Sequence, residues 1–189
     1  LAAFAATALL AATPGLATAS VIGFLGNFDV INDTGRPCNG FEIELEGLSP
    51  SDVVYTFGEP YQRYGNPEVV PYAGGVYVRY KSAYDPGAGK WAAATPLAPS
   101  QIVPTDGHAC WTGGSGNYLS SGCEHFGVSL VGNPTNTVYR WLVADPANPG
   151  HRWERPLQAP GRMQVDFEER VDFQRLHDYR LARTRAARA

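Results

Sequence analysis

Two of the three cysteines and two of the four histidines in this 189-residue chain fall within residues 107–127. They are arranged as His108-x-Cys110, twelve residues, then Cys123-x-His125. Thiols and imidazoles close together allow three kinds of chemistry. Two cysteines can oxidise to a bridge, four ligands can take zinc, and a thiolate beside an imidazole can act as a nucleophile. Side chains at i and i+2 of a strand share a face, so His108 goes with Cys110 and Cys123 with His125. Pairing 108–112 antiparallel to 124–131, with Cys110 opposite Cys123, sets His108 opposite His125 and puts all four on one face of a hairpin. The glycines at 113, 114, 116 and 122 would make its tip flexible around Asn117 and Tyr118.

Directly opposed strand residues stand at the Cα separation a disulfide needs. A Cys₂His₂ zinc site lacks its usual C-x₂₋₄-C and H-x₃₋₅-H spacing, and a flat ladder does not converge four ligands tetrahedrally. A bridged cysteine cannot attack a substrate. The expected chemistry is therefore a Cys110–Cys123 disulfide. His108 and His125 remain as a two-histidine patch with some capacity for zinc or copper. Cys38 is the odd thiol, read as a buried or adventitious residue, with pairing to one of the other two cysteines as the alternative.

The first nineteen residues, LAAFAATALLAATPGLATA, are uncharged and Ala-rich and end in Ala17-Thr18-Ala19. Small residues at these positions before Ser20 match a signal-peptidase site, and Pro14-Gly15 breaks the apolar run below the ~20 residues of a membrane span. Residues 1–19 are accordingly expected to be a signal peptide, truncated at its start. A secreted, periplasmic or cell-surface location of bacterial type follows, with no membrane span in the mature chain. An oxidising compartment favours the disulfide.

The elements that would hold these groups read as short strands. Twenty-one Gly and fifteen Pro spread along the chain punctuate it, and only 17% of residues are charged. Phe28-x-Val30 leads to a turn at 32–35. Residues 41–46 (FEIELE) alternate apolar and acidic, and 53–57, 76–84, 124–131 and 137–144 are rich in β-branched and aromatic residues. Residues 58–75 read as one long connection, 85–89 as a turn into a hairpin with Lys90-Trp91, and 98–106 as a proline-rich loop. A short last strand is expected at 151–155. About seven to nine strands separated by turns point to an all-β, antiparallel sandwich over 20–161. Residues 162–189 carry seven arginines against five acids and read as a charged, Arg-rich helix or disordered tail. The net charge of −3 argues against nucleic acid as a partner.

Glu42, Glu44 and Glu46 read as a solvated strand face; calcium would suit carboxylates, but no D-x-D-x-D-G loop is present. In VYVRYK, Val76, Val78 and Tyr80 share one face and Tyr77, Arg79 and Lys81 the other. Tyr77, Arg79 and Lys81 with Trp91 could stack on a sugar or a partner protein, while the competing reading has tyrosines covering the core. Trp111, Trp141 and Trp153 read as core. The chain has no G-x-S-x-G, Walker loop, H-E-x-x-H or dinucleotide fingerprint, and most aspartates read as turn caps.

The opening NFDVINDTG and GFEIELEG resemble the first strands of secreted bacterial cell-surface β-sandwich proteins of PEP-CTERM-like or immunoglobulin-like kind. The resemblance covers about a tenth of the chain and implies an exported surface protein with no catalytic residues to carry over. The expected function is a secreted or surface-associated, non-enzymatic binding or structural module for polysaccharide or another surface protein, without cofactor. The alternatives are an extracytoplasmic metal-binding protein using the 108–125 hairpin, and a hydrolase lacking any recognisable motif.

Overall fold

The computed structural model describes residues 20–98, 106–145 and the short strand at 157–158. The leader at 1–19, most of the proline-rich loop, the strand expected at 151–155, Trp153 and the tail at 162–189 lie outside the described residues. The all-β, antiparallel class is what the chain forms. Its strands divide, among the described residues, into four antiparallel sheets, a coarser statement than the two-sheet sandwich expected.

The strongest alternation in the sequence becomes the centre of the largest sheet. Strand β3 (Gly40–Glu46) turns Phe41, Ile43 and Leu45 inward, each fully buried. β6 (Gly75–Lys81) and β11 (Asn136–Leu142) flank it, with Phe41 opposite Tyr80 and Trp141, and Ile43 opposite Val78 and Tyr139. β12 (Leu157–Gln158) and β5 (Glu68–Tyr72) close the two edges. β5 lies inside the stretch expected to be a plain connection. Pro71 disguises it, since proline cannot donate to a ladder, but an edge strand tolerates that loss.

A second sheet pairs β1 (Ser20–Phe24), β2 (Asn27–Ile31) and β9 (Cys123–Phe126) in that order. Phe28, Val30, Glu124 and Phe126 face inward on β2 and β9, and the Phe126 ring stacks on Phe41 at 4.3 Å. The two sheets thus share one apolar core, in which each fully buried large side chain contributes about 1.5–3 kcal/mol.

Residues 124–131 do not form one strand. The chain breaks at Gly127 and continues as β10 (Val128–Leu130), paired with β4 (Val53–Thr56) in a separate two-stranded sheet. β7 (Tyr84–Asp85) and β8 (Lys90–Trp91) make the expected hairpin.

The acidic face of β3 is not solvated. Glu42 and Glu44 are buried because the register sets arginines across from them. Glu42 accepts from Arg79 at 2.5 Å and Arg140 at 2.9 Å, Glu44 pairs with Arg140 at 2.5 Å, and Asn136 caps Glu46 at 2.9 Å. Carboxylates flanked by guanidinium groups are ion-pair partners, not a calcium cradle.

Candidate functional site

On β2 and β9 the faces alternate, and the face turned away from the core carries Asp29, Ile31, Cys123 and His125. Asp29 is opposite His125, and Ile31 opposite Cys123. The segment 107–112 lies over this face as an irregular chain; it is not the strand that the sequence suggested. Among the described residues β9 pairs with β2 alone, and 107–112 takes no place beside it as the expected strand.

What replaces the ladder is one buried carboxylate. Asp29 accepts the backbone N–H of Ala109 at 2.8 Å and of Cys110 at 3.2 Å, and its Oδ1 lies 2.8 Å from His125 Nδ1. Asn27 adds a side-chain bond to the Gly107 carbonyl at 3.0 Å. Buried N–H groups need partners, and an acceptor 80 residues away supplies them as well as a strand would.

So anchored, Cys110 meets Cys123 with Cα atoms 5.5 Å apart, and the disulfide forms as expected. His108 is also brought to His125, their ring centres 4.8 Å apart. The four side chains do converge, through a loop and not through a hairpin ladder. With both cysteines in the bridge, the Cys₂His₂ ligand set and the thiolate nucleophile are removed. Among the described residues no group of three or more His, Cys, Asp or Glu is placed to hold a metal.

Around this pair stands an aromatic surface. Phe57 meets the His125 ring edge-on at 4.5 Å, Tyr61 meets Trp111 at 5.6 Å, and Trp111 lies 5.6 Å from His108. Tyr61 is 43% exposed, His108 is exposed and Trp111 is half-buried. Trp111 is therefore a surface residue, not the core residue expected, whereas Trp141 is core at 1% exposure. The glycine-rich stretch supports it. A Cβ on Gly113 or Gly114 would come within 2.4 Å of the indole, so only glycines let the backbone lie against that ring. Tyr118, placed at the flexible tip by the sequence, is instead buried and turned inward.

The residues of the second expected site also make contacts among themselves and with their neighbours. Tyr77, Arg79 and Lys81 share the outer face of the large sheet, as their alternation required. Tyr77 is stacked by Tyr72 at 4.4 Å and covered by the Arg79 guanidinium at 4.3 Å. Arg79 is paired with Glu42 and Lys81 with Glu68. Trp91 is on the β7–β8 hairpin against Tyr84 at 4.9 Å, away from that strand register.

Cys38 is buried and unbridged. Its thiol donates to Asn32 Oδ1 at 3.3 Å, and burial pushes its pKa up to about 12. It is an inert thiol.

Sequence reasoning missed Asp29, Phe57 and Tyr61. Asp29 did leave a signal, an acid between Phe28 and Val30 where strands disfavour one; Tyr61, in the Pro/Gly/Tyr-rich connection, left none. Compared with protein-family models, with curated proteins and with solved structures, the chain matches none.

Proposed function

We propose that this chain is an exported, non-enzymatic binding module that presents Tyr61, Trp111 and His108 to a polysaccharide of the cell surface. The observation that carries this reading is the disulfide-anchored aromatic surface itself. Rings exposed beside a bridge, held from beneath by glycine backbone and a buried Asp–His pair, offer a rigid apolar platform of the kind that stacks on sugar rings. Rigidity matters because ordering loose aromatic side chains on binding would cost affinity. The Ala-rich segment 1–19 supports the exported location, and a disulfide persists in such a compartment.

The test is retention of the purified chain on a panel of immobilised polysaccharides. Tyr61→Ala and Trp111→Ala should each weaken retention roughly tenfold, as loss of an aromatic contact worth about 1.5 kcal/mol implies. Tyr77→Ala should leave retention unchanged, because that ring is already engaged by Tyr72 and the Arg79 guanidinium. Retention that is absent across the panel, or that follows Tyr77 instead, defeats the reading. Binding to a surface protein but to no glycan would move the same surface to a protein partner. N-terminal sequencing of chain recovered from an expressing bacterium should begin at Ser20.

A further inference from the structure

The imidazole pair beside the disulfide offers a chemistry that the aromatic platform does not use. His125 is almost fully buried, and its Nδ1 faces the Asp29 carboxylate at 2.8 Å. An ionised carboxylate only accepts, so in the neutral ring the proton belongs on Nδ1 and the lone pair on Nε2. Asp29 is itself fixed by the Ala109 and Cys110 N–H groups. A carboxylate on the far nitrogen is the support that metal-ligating histidines commonly carry, because it sets the ring's orientation and raises its basicity. Among the described residues no hydrogen bond occupies His125 Nε2 or the ring nitrogens of His108.

The spacing fits a shared ion. With metal–nitrogen bonds of about 2.0–2.1 Å, each ring centre would stand roughly 3.2 Å from the metal. Centres 4.8 Å apart then subtend about 100° at it, between square-planar and tetrahedral angles. The ring planes stand 84° apart. We infer that His108 and His125 form a two-histidine site for a divalent transition-metal ion, copper(II) in preference to zinc(II), with Asp29 as the supporting carboxylate. Copper ranks first because nitrogen sites follow the order in which Cu²⁺ binds tightest. Among the described residues no third protein ligand joins them, so water or oxygens of a bound molecule would have to complete the coordination.

The experiment is titration of the tag-free full chain with copper(II), followed by electron paramagnetic resonance and by tryptophan emission. One equivalent should bind with nitrogen coupling from two imidazoles and quench Trp111, whose ring lies 5.6 Å from His108. Zinc(II) in excess should compete. His108→Ala removes an exposed side chain that the core does not need, and should lower affinity at least tenfold, a loss at or beyond the ~10–100-fold typical of a supporting residue. It should also take one nitrogen out of the spectrum. The double variant His151→Ala/His177→Ala should bind as the parent does. Copper that fails to saturate at one equivalent, or a His108→Ala chain that keeps the parent spectrum and affinity, overturns the site. Copper binding is read on the parent and His108→Ala chains, and polysaccharide retention on Tyr61→Ala and Trp111→Ala, which keep both imidazoles, so the two readings fail separately.

Discussion

Glu124 is fully buried and points from β9 into the core side of its sheet, where a carboxylate needs partners. It has three. The Arg63 guanidinium pairs with it, the Tyr118 hydroxyl donates at 2.7 Å, and the Thr95 hydroxyl donates at 3.2 Å. Arg63 in turn donates to the carbonyls of Ala94 and Tyr118, each at 3.0 Å. One acid therefore ties together three segments that lie outside the named strands. Burial raises its pKa to about 7, outweighing the opposing pull of Arg63, Tyr118 and Thr95. The folded chain then holds this proton more tightly than the unfolded one. The stabilisation is complete below the unfolded value near 4.5 and is lost as pH rises through about 7. Glu124→Gln, which keeps an acceptor but cannot titrate, should lack that dependence. Between pH 4.5 and 7.5 the parent should lose on the order of 3 kcal/mol relative to the variant, read from denaturant midpoints. Parallel pH profiles for the two chains would show that Glu124 does not titrate in this range.

At the scale of elements, Gly127 decides where one run of apolar residues ends and another sheet begins. Its carbonyl accepts from Phe57 N–H at 2.8 Å, and Val128 N–H donates to Leu25 at 2.9 Å, so the chain changes partners within two residues. A Cβ at Gly127 would stand 2.5 Å from the Gly26 carbonyl oxygen, which is backbone and cannot step aside. Gly127→Ala should therefore cost about 1–3 kcal/mol or more in a denaturation experiment, whereas Gly116→Ala, with open space around it, should be near neutral. These two glycines look alike in the sequence. What was legible there was local: the alternation of β3, the faces of β6, the β7–β8 turn and the pairing of Cys110 with Cys123. What was not legible depends on partners far along the chain. Segment 107–112 is no strand because Asp29, 80 residues earlier, takes its N–H groups. The Glu42 face is not wet because Arg79 and Arg140, 37 and 98 residues away, arrive in register. β5 is hidden by its proline, and Trp111 reads as core because no local pattern distinguishes a ring lying on glycine backbone from one packed inside.

At the scale of the molecule, the two larger sheets have no separate interiors. Phe126 from the three-stranded sheet stacks on Phe41 from the five-stranded one, and its ring also meets Tyr80 at 4.7 Å and Phe28 at 6.0 Å. Trp141 crosses the other way, its indole N–H donating to the Ile31 carbonyl of β2 at 3.2 Å. Contacts that each sheet makes only in the presence of the other couple their unfolding. Losing a buried phenylalanine ring costs about 3–5 kcal/mol, a large share of the 5–15 kcal/mol that holds a typical domain. Phe126→Ala should consequently destabilise both sheets by the same amount, lowering the denaturant midpoint of backbone circular dichroism and of tryptophan emission together. The parent should show the same coincidence. Two separated transitions, in either chain, would mean that one sheet stands without the other. The site on the outer face of β2 and β9 would then be carried by a three-stranded unit alone, too small to hold the Asp29–His125 pair buried.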